Sequence, residues 1–174
     1  DKDYFFIIDE INRGNMSKIF GELLMLIEAD YRDKKATLAY NGLSFSVPKR
    51  LHIIGMMNTA DRSLAMIDYA LRRRFSFFDM EPGFYSDGFI NYQNSFANET
   101  FNTLIERIKE LNKEIAQDKS LGKGFCIGHS YFCNVDDCTE EWMKDVVDFD
   151  ILPMLSEYWF DESSKLQRWE NILH

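Results

Sequence analysis

The sequence predicts an α/β core to about residue 82, followed by a mostly helical segment. Three observations predict it. Tyr4-Phe5-Phe6-Ile7-Ile8 is apolar on both faces and reads as a short buried strand of a parallel sheet. Leu51-His52-Ile53-Ile54-Gly55-Met56-Met57 reads as a second such strand, ending at Asn58. Beyond the break at Glu81-Pro82-Gly83 the apolar spacing becomes helical, with Phe101, Leu104, Ile105, Ile108, Leu111 and Ile115 on one face of residues 100–118.

The remaining elements follow in chain order. Ser17 to about Ala29 reads as a helix whose stripe is Ile19, Phe20, Leu23, Leu24, Leu26 and Ile27. Asn41-Gly42 between alternating apolar residues marks a hairpin. Leu64 to Arg73 reads as a short helix capped by Ser63, and Phe75 to Phe78 as a third strand. A Gly-rich turn is expected at 122–128, then helices over about 139–159 and 162–173. Trp142, Tyr158, Trp159, Phe160 and Trp169 are expected in the core of the helical part, and Met56-Met57 in strand packing.

Composition excludes some functions. At 174 residues and 45% hydrophobic content, a packed core is easily built, yet no apolar run is long enough to span a bilayer. The net charge of −9 argues against a large nucleic-acid-binding face, because phosphate neutralisation needs clustered Lys and Arg. Arg72-Arg73-Arg74 is the one basic cluster, a site rather than a surface. Three cysteines, an odd number, suggest a reducing, cytoplasmic setting. The chain opens Asp-Lys-Asp directly before a strand, without Met, and is expected to be a segment of something longer.

Open α/β sheets place ligands at the carboxyl ends of their strands, and Asp9-Glu10 sits at such an end. Asp9 can hold the water shell of Mg²⁺, and Glu10 can orient or deprotonate the attacking water in phosphoryl transfer. The plainer alternative is a strand ending in a solvated acidic turn. At the second strand end, Asn58 can hold a lytic water or a phosphate oxygen without adding negative charge. It can equally just turn the chain. Arg72-Arg73-Arg74 can supply positive charge to a transferring phosphoryl group, or can pair on the surface with some of the 29 acids. Cys126, His129, Cys133 and Cys138 could form a metal site, but their spacing is loose and the cysteines also fit as small apolar core residues.

The stretches FFIIDEINRGNMSKIFGELLMLIE, IIGMMNTADRSLAMIDYALRRRFSFFDMEPGF and GHSYF resemble the McrB family of AAA+ motors, the GTP-dependent subunits of modified-cytosine-specific (McrBC-type) restriction systems. The resemblance covers essentially the whole chain. It implies a partial AAA+ P-loop NTPase core over 1–82, a parallel sheet with flanking helices and a β-hairpin insertion, and a helical lid over 83–174. It implies that Asp9 and Glu10 are the Walker B pair, that Asn58 is sensor 1, and that Arg73 and Arg74 lie where trans-acting arginine fingers lie. Arg72, the first of that run, belongs with the nucleotide and interface residues. Asp61 and Arg62 fall in a loop by the nucleotide and the subunit interface, and His129 falls in the lid, where it could approach the nucleotide or only close a turn. It further implies Mg²⁺, GTP rather than ATP, a hexameric ring, an McrC-like nuclease partner, and DNA bound through an upstream domain.

The chain contains no G-x-x-x-x-G-K-[ST] phosphate loop. Isolated, it is therefore expected to bind nucleotide weakly or not at all and to be inactive. Two other readings are a non-catalytic assembly module and an ATPase of another AAA+ subtype, MoxR-like. Retention of Asp9, Glu10, Asn58 and Arg73 together argues against the first, and MNTADRS with ALRRRF against the second.

Overall fold

A computed structural model describes residues 2–58, 60 and 69–174 of the chain. It shows a small parallel sheet, a hairpin and helices, and then a second, helical part. The chain divides into two compact units, Asp1–Asp79 and Met80–His174.

In the first unit, β1 (Tyr4–Ile8) pairs in parallel with β4 (Leu51–Gly55), from Tyr4 opposite Leu51 to Ile8 opposite Gly55. The connection between them runs through α1 (Met16–Phe20), a 3-10 helix (Gly21–Ile27), a short 3-10 turn (Ala29–Tyr31) and the hairpin of β2 (Ala36–Thr37) with β3 (Ser44–Phe45). Gly42 in the hairpin loop has φ of +69°, a left-handed backbone that glycine adopts at little cost. Arg32 staples the connection to the sheet, donating from Nε to the Ile27 carbonyl at 3.1 Å and from its guanidinium to the Leu51 carbonyl at 2.8 Å. Ile11, Leu24, Ile27 and Leu71 form a small core, with Ile8, Phe20, Ile53 and Phe75 packed around it.

Several expectations change here. The helix over 17–29 is one α-turn and then 3-10, because Gly21 takes φ of +47° and interrupts the i→i−4 ladder. β1 is apolar on both faces as read, but Tyr4, Phe5, Phe6 and Ile7 are 51–65% exposed. A strand with two apolar faces is buried only when layers cover both, and among the described residues β1 has β4 alone beside it. Residues 75–78 form no strand: Phe75 packs on the small core, Phe77 and Phe78 are exposed, and among the described residues no strand pairs with them. Met56 and Met57 lie past the last ladder residue and are exposed rather than packed. The helix expected over 64–73 appears as α2 (Tyr69–Arg72), its earlier part and the Ser63 cap lying outside the described residues.

The second unit is built on α4 (Glu99–Gln117), capped by Asn98, whose Oδ1 accepts from the Phe101 amide. All six apolar residues of its predicted stripe are buried. Around it stand α3 (Asp87–Ser95), α5 (Glu140–Asp145), α6 (Leu152–Tyr158) and α7 (Ser163–Leu173). Helix α3 has no counterpart in the sequence reading, although Ser86 caps it through the Phe89 amide. A π-helical segment, Val146–Ile151, joins α5 to α6. Pro153 follows it, and a residue without an N–H, whose ring crowds the carbonyl four back, favours such a widened turn. Trp159 and Trp169 are core residues, and Trp142 and Tyr158 pack partly against the core. Phe160 is 82% exposed, because Trp159 takes the inward position where α6 ends.

Two carboxylates lock the tryptophans. Asp118 accepts from Trp159 Nε1 at 3.1 Å and from Lys165 Nζ at 2.6 Å, and its other oxygen accepts from Ser120. Glu114 accepts from Trp169 Nε1 at 3.0 Å and from Arg168. The Lys165 ammonium, and then Ser120, hold the Asp118 carboxyl far below its ordinary value. A depressed carboxyl stabilises the fold above its ordinary range and stops doing so as pH falls through that range and below it. Acidification below about pH 4 is therefore expected to destabilise this unit. Asp118→Ala is expected to cost about 2–3 kcal/mol at neutral pH by orphaning the Trp159 N–H, and to flatten the acid limb, both readable by denaturant unfolding followed through tryptophan fluorescence.

Candidate functional site at the strand ends

The parallel register brings the carboxyl ends of β1 and β4 side by side. Two bonds extend it past the ladder: the Met56 amide donates to the Ile8 carbonyl at 2.8 Å, and the Ile11 amide to the Met56 carbonyl at 2.9 Å. Asp9 and Glu10 therefore leave β1 beside the segment that carries Asn58. The Nδ2 of Asn12 reaches the Asn58 carbonyl at 3.4 Å, and the Asn58 side-chain oxygen accepts from the Ala60 amide at 3.0 Å.

Glu10 has φ of +50°, a left-handed backbone that costs a non-glycine residue roughly 1 kcal/mol or more. Local bonds hold it there. Its amide donates to Asp9 Oδ1 at 2.9 Å, and its carbonyl accepts from the Arg13 amide at 2.9 Å. The reversal turns the Glu10 carboxylate to solvent, where Arg13 Nε meets it at 2.9 Å. Both side chains of that pair are more than half exposed, so the pair is weak and easily exchanged.

Asn12 Oδ1 is buried without a hydrogen-bond partner. Asp9, Glu10 and Asn12 are three oxygen-bearing side chains of one turn, and hard-oxygen donors are the chemistry that fits Mg²⁺ with its retained waters. Asn12 and Arg13, which contact the Asn58 carbonyl and Glu10, are further candidates that the sequence reading did not single out. The signal was present in DEINR, where two further polar side chains share the turn with the acidic pair.

The arginine run sits elsewhere in the same unit, tied to it through Leu71, which shares a cluster with Ile11. Arg72 lies over the Phe77 ring at 5.8 Å and Arg73 over the Tyr69 ring at 5.9 Å. Arg74 pairs with Glu28 at 2.7 Å. Asp61 and Arg62 lie outside the described residues.

In the second unit, His129 Nδ1 accepts from the Gly83 amide at 3.0 Å, so the neutral ring carries its proton on Nε2. The ring meets Phe84 and Phe89 edge-on, and a Cβ at residue 83 would come within 3.0 Å of it. His129 thus closes the start of this unit onto its own core. The cysteine spacing does not assemble a metal site. No group of three or more His, Cys, Asp and Glu suited to an ion occurs among the described residues. Cys126 and Cys133 instead donate to the carbonyls of Asn112 and His129, and burial pushes the Cys138 thiol up to about 11.

Residues 2–75 match the family described as AAA domain (dynein-related subfamily), and residues 103–167 match the McrB alpha-helical lid domain. The chain is 50% identical to the "Type IV methyl-directed restriction enzyme EcoKMcrB subunit" of Escherichia coli (strain K12), over 99% of this chain and 40% of that protein. It is 30% identical to the "Type II restriction enzyme BsuMI component YdiS" of Bacillus subtilis (strain 168), over 71% of this chain and 42% of that protein. The chain thus spans about two fifths of the length of these curated relatives.

One contact governs the strand-end geometry. A Cβ built on Gly55 would lie 2.7 Å from Ile11 Cδ1 and 3.3 Å from its Cγ2. Gly55→Ala is expected to push Ile11 and the turn that carries Glu10 away from β4, costing about 1–3 kcal/mol in denaturant unfolding. A Gly55→Ala chain as stable as its parent would show that the turn is not held by this packing.

Proposed function

Because the chain belongs to the McrB family, joining an AAA core to an McrB-type helical lid, we propose that it is part of a GTP-hydrolysing motor that drives DNA translocation for restriction of modified DNA. The observation that supports the reading is at the strand ends: Asp9 and Glu10 leave β1 beside the segment that carries Asn58, and Asn12 bonds to the Asn58 carbonyl.

In this reading Asp9 holds magnesium-bound water, and the ion when bound neutralises phosphate charge. Glu10 orients the attacking water and accepts its proton. Asn58 holds that water, or a terminal phosphate oxygen, by its side-chain amide. Arg72, Arg73 and Arg74 belong to the segment that presents positive charge to a neighbouring subunit's nucleotide. Asp61 and Arg62, outside the described residues, are assigned in this reading to the nucleotide and subunit interface, and His129 serves the lid by closing its first turn. GTP is the preferred nucleotide. The longer protein assembles as a ring, a hexamer in our reading, works with an McrC-like nuclease and meets DNA through a domain outside this chain. The three free cysteines suit a reducing cytoplasm.

In this reading the phosphate-cradling loop belongs to the longer protein, because these 174 residues carry no such motif and span about two fifths of the curated relatives. The isolated chain is therefore expected to show no GTP turnover in a phosphate-release assay, and multiple turnover by the purified chain would overturn this part of the reading. In the longer protein, Glu10→Gln is expected to keep nucleotide affinity while hydrolysis falls by about 100-fold or more. Unchanged hydrolysis would remove Glu10 from the chemistry.

A further inference from the structure

We propose that Arg74 is a positioning residue, clamped within its own subunit to Glu28, and that the charge offered to a neighbour's nucleotide comes from the exposed Arg73 and its neighbour Arg72. The proposal rests on the motor reading above and divides the labour within its arginine run.

The run begins on α2, and the chain continues to wind past it: the Arg73 amide bonds to the Tyr69 carbonyl and the Arg74 amide to the Leu71 carbonyl. Successive residues on such a turn point about 100° apart, so three adjacent arginines cannot share one target. Leu71 points inward and is 2% exposed. Arg74 stays near it, with its side chain 21% exposed.

Both ends of the Arg74 guanidinium are taken. One nitrogen donates to the Ala70 carbonyl at 2.6 Å, and the other meets Glu28 Oε1 at 2.7 Å. Its Nε is buried without a partner, which marks a side chain drawn into the protein rather than presented outward. Glu28 closes the 3-10 segment whose Leu24 and Ile27 pack against Leu71, so both halves of the clamp stand on one apolar cluster. For Arg74 to reach another subunit, both bonds would break and Glu28 would lose its cation.

Arg72 and Arg73 are exposed and held loosely. Each lies over an aromatic ring at a distance where the attraction is slight, and the ring under Arg73, Tyr69, is itself 75% exposed. The clamp fixes the end of α2 and thereby the direction in which these two leave it.

Arg74→Ala, Glu28→Gln and Arg73→Ala test this, read by thermal unfolding of the chain and by kcat and KM for GTP in the longer protein. The clamp predicts that Arg74→Ala and Glu28→Gln each lower the unfolding midpoint by about 4 °C, and that the double variant is no worse than the worse single. Arg73→Ala leaves the midpoint unchanged. In hydrolysis, Glu28→Gln reproduces the kcat loss of Arg74→Ala, at least tenfold with KM unchanged, and Arg74→Lys restores part of it. The proposal is overturned if Arg74→Ala abolishes turnover while Glu28→Gln leaves kcat at the parent value, or if Arg74→Ala leaves the midpoint unmoved. A longer protein that never hydrolyses GTP would sink the motor reading and the division of labour with it, while the midpoint shifts would still show the clamp.

Discussion

The first unit depends on the parallel pairing of two five-residue strands and on how that pairing is continued past its end. The ladder stops at Ile8 and Gly55, but Met56 bonds back to Ile8 and Ile11 bonds across to Met56. Those two bonds keep the chains in step for one more turn, the turn that holds the acidic pair. They operate because Gly55 has no side chain to oppose Ile11, so the buried Ile11 can lie directly against the β4 backbone. Glu10 is then forced into a left-handed backbone, and the resulting reversal lifts its carboxylate off the sheet. Strain, register and the missing Cβ are parts of one arrangement.

The second unit solves a different problem. Its helices carry indole N–H groups into an apolar core, where an unpaired donor is costly. Asp118 and Glu114, at the end of α4, meet Trp159 and Trp169 and are themselves neutralised by Lys165 and Arg168. The carboxylates act as connectors between α4 and α7, so the helix pairing is specified by polar as well as apolar contacts. His129 does similar work at the start of the unit, accepting one backbone amide and filling the space left by a glycine. His129, Cys126 and Cys133 have structural partners here, and Cys138 is buried in the core.

The same economy explains the arginines. Three identical side chains in a row offer no chemical distinction, but the helical turn beneath them does. One falls on the side of Leu71 and Glu28 and is absorbed by the fold, and two fall outward.

Much of this was legible in the residues. The parallel strands, the Asn-Gly hairpin and the six-residue stripe of α4 each follow from local periodicity or motif, properties carried by a few neighbouring side chains, and the AAA-with-lid organisation is implied by the family resemblance of longer stretches. Asp9, Glu10 and Asn58 could be named as strand-end residues because strand length is local too. Other features were not legible, because each depends on what lies across space. Whether β1 is covered is decided by neighbouring layers, and its own apolar pattern says only that it should be. Whether 75–78 makes a strand depends on a partner edge. That Asn12 keeps an unpaired oxygen, that Gly55 answers to Ile11, and that Arg74 rather than Arg73 meets Glu28 are set by contacts between residues tens of positions apart. Sequence by itself determined which side chains stand at the strand ends and on the arginine turn. Tertiary structure alone decided which of them remain free, because hydrogen-bond and ion-pair partners are allotted only when distant segments pack together.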